Sequence, residues 1–319
     1  MRVLVTGGTG FLGSNVVKLY SEHHGADVIA TGRRPPELSL PGRFEQLELE
    51  DYQAVRSRIL AEQPDVLVHT AILNDFETMY ADRGLAWNVY VESTRTIIDA
   101  ANEVDGMVVF VSSDWVFDGT QPGADESTPP NPINYYGVLK LAGEIVTLER
   151  ARHPLVARVA GVNGMHWARA ERTRDQDAGF GHFVSALVDA LQAGKPFVVW
   201  EGEDISERAT PSLASESAEM IMRLVESGRR GIFHCCGGES VTRMELARAA
   251  VDAFGLDPSL VRAGRPELDA SISGPVPRDT SLDARRTAKA IGYSLPSIRS
   301  LLETLREQRD TGGVAPVPA

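Results

Sequence analysis

The chain predicts an α/β fold: a doubly wound parallel sheet carrying a small C-terminal substrate-binding lobe. Two observations carry that expectation. Short apolar runs alternate with helical patterns through the first 160 residues, and a glycine-rich turn stands between the first run and the first helix. The elements follow in order. Val3–Thr6 is a strand and Phe11–Ser21 a helix; Val28–Thr31 is a second strand, and Leu47-Glu48-Leu49-Glu50-Asp51 closes a third. Val66–His69 is followed by a helix over Leu85–Ala101, Val108–Ser112 by a helix over Tyr136–Glu149, and Leu155–Val159 ends the series. Runs this apolar belong to strands covered on both faces, and right-handed crossovers gather ligands at their carboxyl ends.

After Val159 the rhythm breaks. A polar, Arg-rich stretch, Met165–Gly181, has the composition of a substrate loop. Helices are expected over His182–Ala193, Leu213–Glu226, Arg243–Phe254 and Ser297–Glu307, with strands at Phe197–Trp200 and Ile232–Cys235. Residues 1–160 form the nucleotide-binding core. Residues 161–310 are mainly the lobe, without an independent second core and with segments returning to the sheet, and 311–319 are a frayed tail.

Composition narrows the function. The 319 residues carry 44 acidic against 32 basic side chains, net charge −12, which argues against a nucleic-acid partner. Cys235 and Cys236 are adjacent and build neither a spaced metal cage nor a disulfide framework. No apolar run approaches the roughly 18 residues a membrane helix needs, and the start lacks a signal-peptide pattern, so a cytoplasmic protein is expected. The positive charge is almost all arginine: 28 Arg and only four Lys, at 18, 140, 195 and 289.

Thr6-Gly7-Gly8-Thr9-Gly10-Phe11-Leu12-Gly13 sits between strand and helix. There glycines give a tight turn and close backbone approach to a pyrophosphate facing the helix N-terminus, the Rossmann-type dinucleotide signature. Thr9, Phe11 and Leu12 complete that loop. The second strand ends in Gly32-Arg33-Arg34 with no acid, which favours NADP(H), NAD(H) being the alternative. Glu48 and Leu49 are candidates for the adenine, and Thr70 and Ala71, after His69, for a shelf beneath the cofactor.

Tyr136 and Lys140 stand four residues apart, on one helix face. A lysine ammonium favours phenolate over phenol, so such a tyrosine can serve as general acid, and the same lysine can hold ribose hydroxyls. Ser113, at the end of its strand, is placed to hydrogen-bond a substrate carbonyl. Asn88 is a candidate to hold a water or backbone near Lys140.

Together the glycine loop, Ser112-Ser113-Asp114-Trp115-Val116-Phe117-Asp118-Gly119, Asn134-Tyr135-Tyr136-Gly137 with Lys140-Leu141-Ala142-Gly143-Glu144, and Pro277-Arg278-Asp279-Thr280-Ser281-Leu282-Asp283 resemble the extended short-chain dehydrogenase/reductases. Within these the chain is most similar to the dTDP-4-dehydrorhamnose reductase branch. The resemblance covers roughly residues 1–307 and implies a nucleotide-sugar keto reductase, with Ser113, Tyr136 and Lys140 at the catalytic positions and Asn88 as the supporting asparagine. It also implies a homodimer through the helices at 85–101 and 136–149. Sister dehydratases carry an Asp-Glu pair where this chain has Asp114-Trp115, so dehydration is disfavoured.

Two positions depart from the family: Trp115 replaces a tyrosine, and His182-Phe183 replaces Asn-Phe. Asp114, Trp115 and His182 are candidate substrate contacts. Arg208, Arg278 and the loop residues Arg169, Arg172 and Arg174 are candidate cations for a substrate pyrophosphate. A natural-product ketone is the alternative substrate. Two other functions fit the motifs: an epimerase with tightly held NAD, and a non-catalytic NADP-binding regulator resembling that of methionine adenosyltransferase.

Overall fold

Val3, Leu4 and Val5 are all 0% exposed, because the strand they form lies at the centre of a sheet covered on both sides. A computed structural model of the protein describes residues 1–73, 75–170, 176–202, 204–265 and 274–314. Its first half runs β1 (Arg2–Thr6), α1 (Phe11–Glu22), β2 (Asp27–Gly32), β3 (Arg43–Gln46), α2 (Tyr52–Glu62) and β4 (Val66–His69). It continues through α3 (Phe76–Ala81), α4 (Arg83–Trp87), a π-helical turn over Asn88–Glu92, α5 (Ser93–Glu103), β5 (Met107–Ser113), α6 (Tyr135–Arg150) and β6 (Pro154–Val159).

The second half holds β7 (Val162–Asn163), α7 (Phe183–Gln192), β8 (Phe197–Trp200), β9 (Arg208–Ala209), β10 (Ser212–Leu213), α8 (Ala214–Glu226) and β11 (Gly231–His234). Then come β12 (Val241–Thr242), α9 (Arg243–Phe254), β13 (Val261–Gly264), β14 (Asp279–Thr280), α10 (Arg285–Ile291) and α11 (Ile298–Thr311). Seven strands make the main sheet in the order β11-β6-β5-β4-β1-β2-β3, every pair parallel. The order reverses between β1 and β4, and the crevice at that switch point is where ligands of doubly wound sheets bind.

Side-chain alternation builds the two layers. Val3 and Val5 pack with Val16, Val17 and the α8 residues Met220, Ile221 and Leu224, whereas Leu4 faces the other way onto Val55, Ile59 and Ile97. Each such side chain, taken wholly out of water, contributes about 1.5–3 kcal/mol. β11, from the second half, is an edge strand of the main sheet, and α8 packs on its face.

Three expectations need correction. The long helix over Leu85–Ala101 is interrupted by the π turn, because the chain fits one extra residue into that turn before α5 resumes. The second half does own a core: Phe183, Leu187, Val199, Leu213, Leu246, Val251, Leu301 and Leu305 form a separate buried cluster among α7, α9, α11 and β8. The tail begins later than expected, since Thr311 ends α11 and Val314 is buried, its carbonyl oxygen 2.6 Å from His23 Nε2. Residues 315–319 lie outside the described residues.

Candidate active site

The cofactor cradle is a matter of backbone fit. Gly7 takes a left-handed conformation, φ 69°, and a Cβ there would fall 2.7 Å from the Ala71 Cα. A Cβ on Gly13 would lie 2.1 Å from the Gly7 carbonyl oxygen, so no side chain is tolerated at the helix entrance. Gly10 caps α1 without a side-chain cap, and no acid stands in the first turn. Such a helix start suits a pyrophosphate, so the residues present fit a dinucleotide. Thr9 Oγ1 donates to the Arg34 carbonyl at 3.3 Å, and Thr70 Oγ1 to the Thr6 carbonyl at 2.7 Å, which ties the loop to β2 and β4.

His69, 2% exposed, lies between Thr6 Oγ1 (2.6 Å) and Thr94 Oγ1 (3.1 Å). Burial, with Lys140 nearby, lowers its pKa to about 3, so the ring is neutral and braces the shelf rather than titrating in catalysis. Arg33 and Arg34 are exposed just past β2. Glu48 is exposed in the connection to α2, since β3 stops at Gln46 and Asp51 is already capping α2; Leu49 is half-buried beside it.

The loop expected to meet substrate has two described parts: Asp177 and Gly179 in the second lie beside Tyr136 and Trp115, whereas the first turns away from them. Trp167 Nε1 donates to Asn15 Oδ1 on α1 at 2.9 Å, and Lys18 sits over the indole at 5.0 Å. The Ala168 carbonyl accepts from Glu37 and Leu38, and Arg169 pairs with Glu37 at 3.2 Å. Residues 165–170 therefore strap the lobe onto the cofactor half; Arg172 and Arg174 lie outside the described residues.

At the reacting end, Ser113 closes β5 and Asn134 caps α6 by accepting from the Gly137 N–H at 2.8 Å. A Cβ on Gly137 would come 2.2 Å from the Trp115 carbonyl oxygen, so that glycine lets α6 start hard against the turn after Ser113. This close approach brings Tyr136 to Ser113. Burial raises the Tyr136 pKa, and a hydrogen bond with Ser113 offsets part of the rise. Lys140, one turn on, is 4% exposed and donates to the Val111 carbonyl at 2.9 Å. Burial lowers its pKa to about 7, against the opposite pull of Glu144. Glu144 is itself held by Arg158 in a two-pronged pair at 2.8 and 2.7 Å, both side chains nearly inaccessible.

Asp114 is buried, not open to a substrate. Ser113 donates to its Oδ1 at 2.8 Å and Thr280 bonds it as well, while burial raises its pKa to about 6 despite those bonds. It orients the serine. Asn88 is exposed, and the residue that approaches Lys140 is Tyr90, because the π turn carries Tyr90 inward. Trp115 sets its ring 5.9 Å from Tyr136 and 6.2 Å from Phe76, an aromatic wall beside the general-acid candidate. His182 caps α7 with its ring 4.2 Å from that of Phe11, so it joins the substrate lobe to the phosphate loop.

Arg208 and Arg278 each hold a surface ion pair. Arg208 pairs with Glu245 on α9 at 3.4 Å and Arg278 with Glu207, just before β9, at 2.6 Å. The arginine that does shape the lobe is Arg243, 2% exposed, which donates to the carbonyls of Ser206, Asp177, Ala178 and Gly179. Neither Arg243 nor Phe76 nor Tyr90 belongs to a motif; their partners lie tens of residues away, so only the folded chain reveals them.

Among known proteins, the RmlD substrate binding domain family model matches residues 1–310. The methionine adenosyltransferase 2 subunit beta of Bos taurus is 30% identical over 95% of this chain and 87% of its own. The probable low-salt glycan biosynthesis reductase Agl14 of Haloferax volcanii is 26% identical over 96% of this chain and 97% of its own. A solved structure described as a hypothetical dTDP-4-dehydrorhamnose reductase from Sulfolobus tokodaii superposes with TM-score 0.76, at 29% identity, over 94% of this chain and 99% of that one. A dTDP-4-dehydrorhamnose reductase from Bacillus anthracis, in complex with NADP, shares the fold at TM-score 0.78 and 20% identity, over 96% of this chain and 99% of that one. Glycine cradle, strand-end serine, Tyr/Lys helix and whole-chain match converge: this chain belongs to the RmlD substrate-binding-domain family of the extended short-chain dehydrogenase/reductases.

Proposed function

We propose that the protein is an NADP(H)-dependent carbonyl reductase of the dTDP-4-dehydrorhamnose reductase type, acting on a keto group of a nucleotide-sugar or related natural-product intermediate. The observation that carries this reading is the meeting of Ser113, Tyr136 and Lys140 at the carboxyl end of β5, next to a glycine cradle at the sheet's switch point. When bound, the dihydronicotinamide supplies the hydride. Tyr136 delivers the proton to the carbonyl oxygen, Ser113 orients that oxygen, and Lys140 favours the phenolate left behind while reaching ribose hydroxyls. Asp114 fixes the serine. An NADPH-oxidation screen over nucleotide-linked 4-keto sugars and unlinked ketones tests the reading, and absence of turnover on all of them counts against it.

NADP(H) preference rests on Arg33 and Arg34 at the end of β2. NADPH is expected to show a KM about tenfold or more below that of NADH, and the pair of substitutions Arg33→Ser and Arg34→Ser to erase the difference. A clear preference for NADH in the unaltered enzyme refutes this. Cys235 and Cys236, both buried free thiols, suit the reducing cytoplasm that is part of the same proposal.

A homodimer completes it. Trp87 on α4 and Val138 and Ile145 on α6 are 42%, 41% and 53% exposed, an apolar surface on the helices that the family resemblance assigns to dimer contact. Light scattering should give twice the chain mass, falling to one chain in a Val138→Glu, Ile145→Glu double variant. A monomeric unaltered protein rules the dimer out.

The second reading, a non-catalytic NADP-binding regulatory subunit, is favoured by the 30% identity to methionine adenosyltransferase 2 subunit beta. Co-purification with a methionine adenosyltransferase catalytic subunit, together with no ketone turnover, would select it over the reductase.

A further inference from the structure

Lys140 is enclosed more elaborately than pairing with a tyrosine requires. Three rings surround its ammonium: Phe110 at 5.3 Å, Tyr90 at 5.5 Å and Tyr136 at 5.9 Å from ring centroid. Phe110 comes from β5 and Tyr136 from the lysine's own helix. Tyr90 comes from a third element, the π turn, a form of helix that recurs at functional sites. Its side chain is 2% exposed, its hydroxyl donates to the Leu73 carbonyl at 3.2 Å, and its ring meets that of Tyr136 edge-on at 6.2 Å and 86°. Nothing in the sequence motifs marks this residue.

We propose that Tyr90 is a positioning residue of the reduction site: its ring is one wall of an aromatic cage that keeps the Lys140 ammonium charged and beside Tyr136. The inference rests on the reductase reading, in which Lys140 acts through Tyr136. A cation against the face of an aromatic ring gains stability that its neutral form does not, and the gain grows where water is excluded. The other titratable or charged groups near Lys140 are Tyr136 and Glu144 on α6, Arg158 on β6 behind Glu144, and His69 on β4. His69 is neutral; the Val111 carbonyl and Glu144, which Arg158 shares, support the charge, and the three rings add to that support. Tyr90 stands on neither β5 nor α6, so its substitution changes no residue of the Ser113, Tyr136 and Lys140 set.

The scarcity of lysine makes the test direct. Lysine labelled with 13C at Cε gives four side-chain signals, from Lys18, Lys140, Lys195 and Lys289, and Lys140→Arg assigns the one in the site. In Tyr90→Leu the titration midpoint of Lys140 is expected to fall by about one pH unit, the size of a desolvated cation–π contact. Tyr90→Phe retains the ring and should leave the midpoint in place. A residue that merely fills space would lower Tm in both variants and move neither midpoint; an unmoved midpoint in folded Tyr90→Leu overturns the proposal. If leucine prevents folding, Tyr90→Met, similar in volume but without a π face, carries the same expectation. The titration needs no substrate, so it stands apart from the turnover assay of Tyr136→Phe: full activity there removes the catalytic purpose of the cage, whatever the midpoint does.

Discussion

Tyr136→Phe is expected to reduce ketone turnover by about 10²- to 10⁴-fold, the usual contribution of a positioned general acid, while NADPH binding changes by less than about twofold. The split follows from geometry. Phenylalanine keeps the ring that packs 5.9 Å from Trp115 and 5.6 Å from Phe76, so the wall of the cleft persists and only the hydroxyl beside Ser113 is lost. NADPH absorbance gives the turnover, fluorescence the binding, and a thermal melt confirms the fold. Undiminished turnover would mean that the proton comes from elsewhere. The pH dependence has a definite sign. Reduction needs an acid at Tyr136 and a charged Lys140, whose pKa burial lowers to about 7. The value of kcat/KM, which reports the free enzyme, should therefore decline as pH rises through about 7.

The largest stability effect is expected at Arg158. It is 1% exposed, grips Glu144 with two short hydrogen bonds, and stacks 5.0 Å from the Phe117 ring. Arg158→Met leaves the Glu144 carboxylate buried without its partner, a change that costs about 3–5 kcal/mol when one member of such a pair is removed. For a chain of this size that is a drop in Tm on the order of 10 °C. The double variant Arg158→Met, Glu144→Leu should recover most of the loss, because an apolar pair of similar volume carries no stranded charge. Differential scanning calorimetry on the two variants decides it: a single variant within about 2 °C of the parent would show that the pair is not what holds β6 to α6. The same pair bears on the site, since Glu144 lies one turn from Lys140 and its charge supports the ammonium.

Much of the architecture was legible because local pattern and global fold agree. Val3–Val5, Val66–Val68 and Val108–Val111 are short apolar runs that only a sheet covered on both faces can bury, and their spacing leaves room for helical crossovers. Gly7, Gly10 and Gly13 were readable for a steric reason that the structure makes concrete: a side chain at Gly13 would collide with Gly7. Ser113, Tyr136 and Lys140 were readable because strand ends and helix faces are periodic, so linear spacing reports spatial direction.

The misplacements share another cause. Its place in the helix at 85–101 and the family resemblance put Asn88 near Lys140, and one π turn, invisible to composition, carries Tyr90 to the lysine instead. Arg208 and Arg278 hold surface ion pairs with Glu245 and Glu207 across contacts that no spacing rule encodes. The polar 165–181 stretch divides in the folded chain: Trp167 and Arg169 are bound to Asn15 and Glu37, more than a hundred residues away, while Asp177 and Gly179 lie beside Tyr136 and Trp115.

By itself, then, the amino-acid order determined most strands of the main sheet, its longer helices, the glycine turn and the Ser/Tyr/Lys spacing, since each depends on steric or periodic rules acting over a few residues. The tertiary structure alone decided which charges are spent on one another, which loop straps the lobe to the cofactor half, and which ring faces Lys140. Burial and long-range pairing set those outcomes, and both are properties of the packed chain rather than of any segment of it.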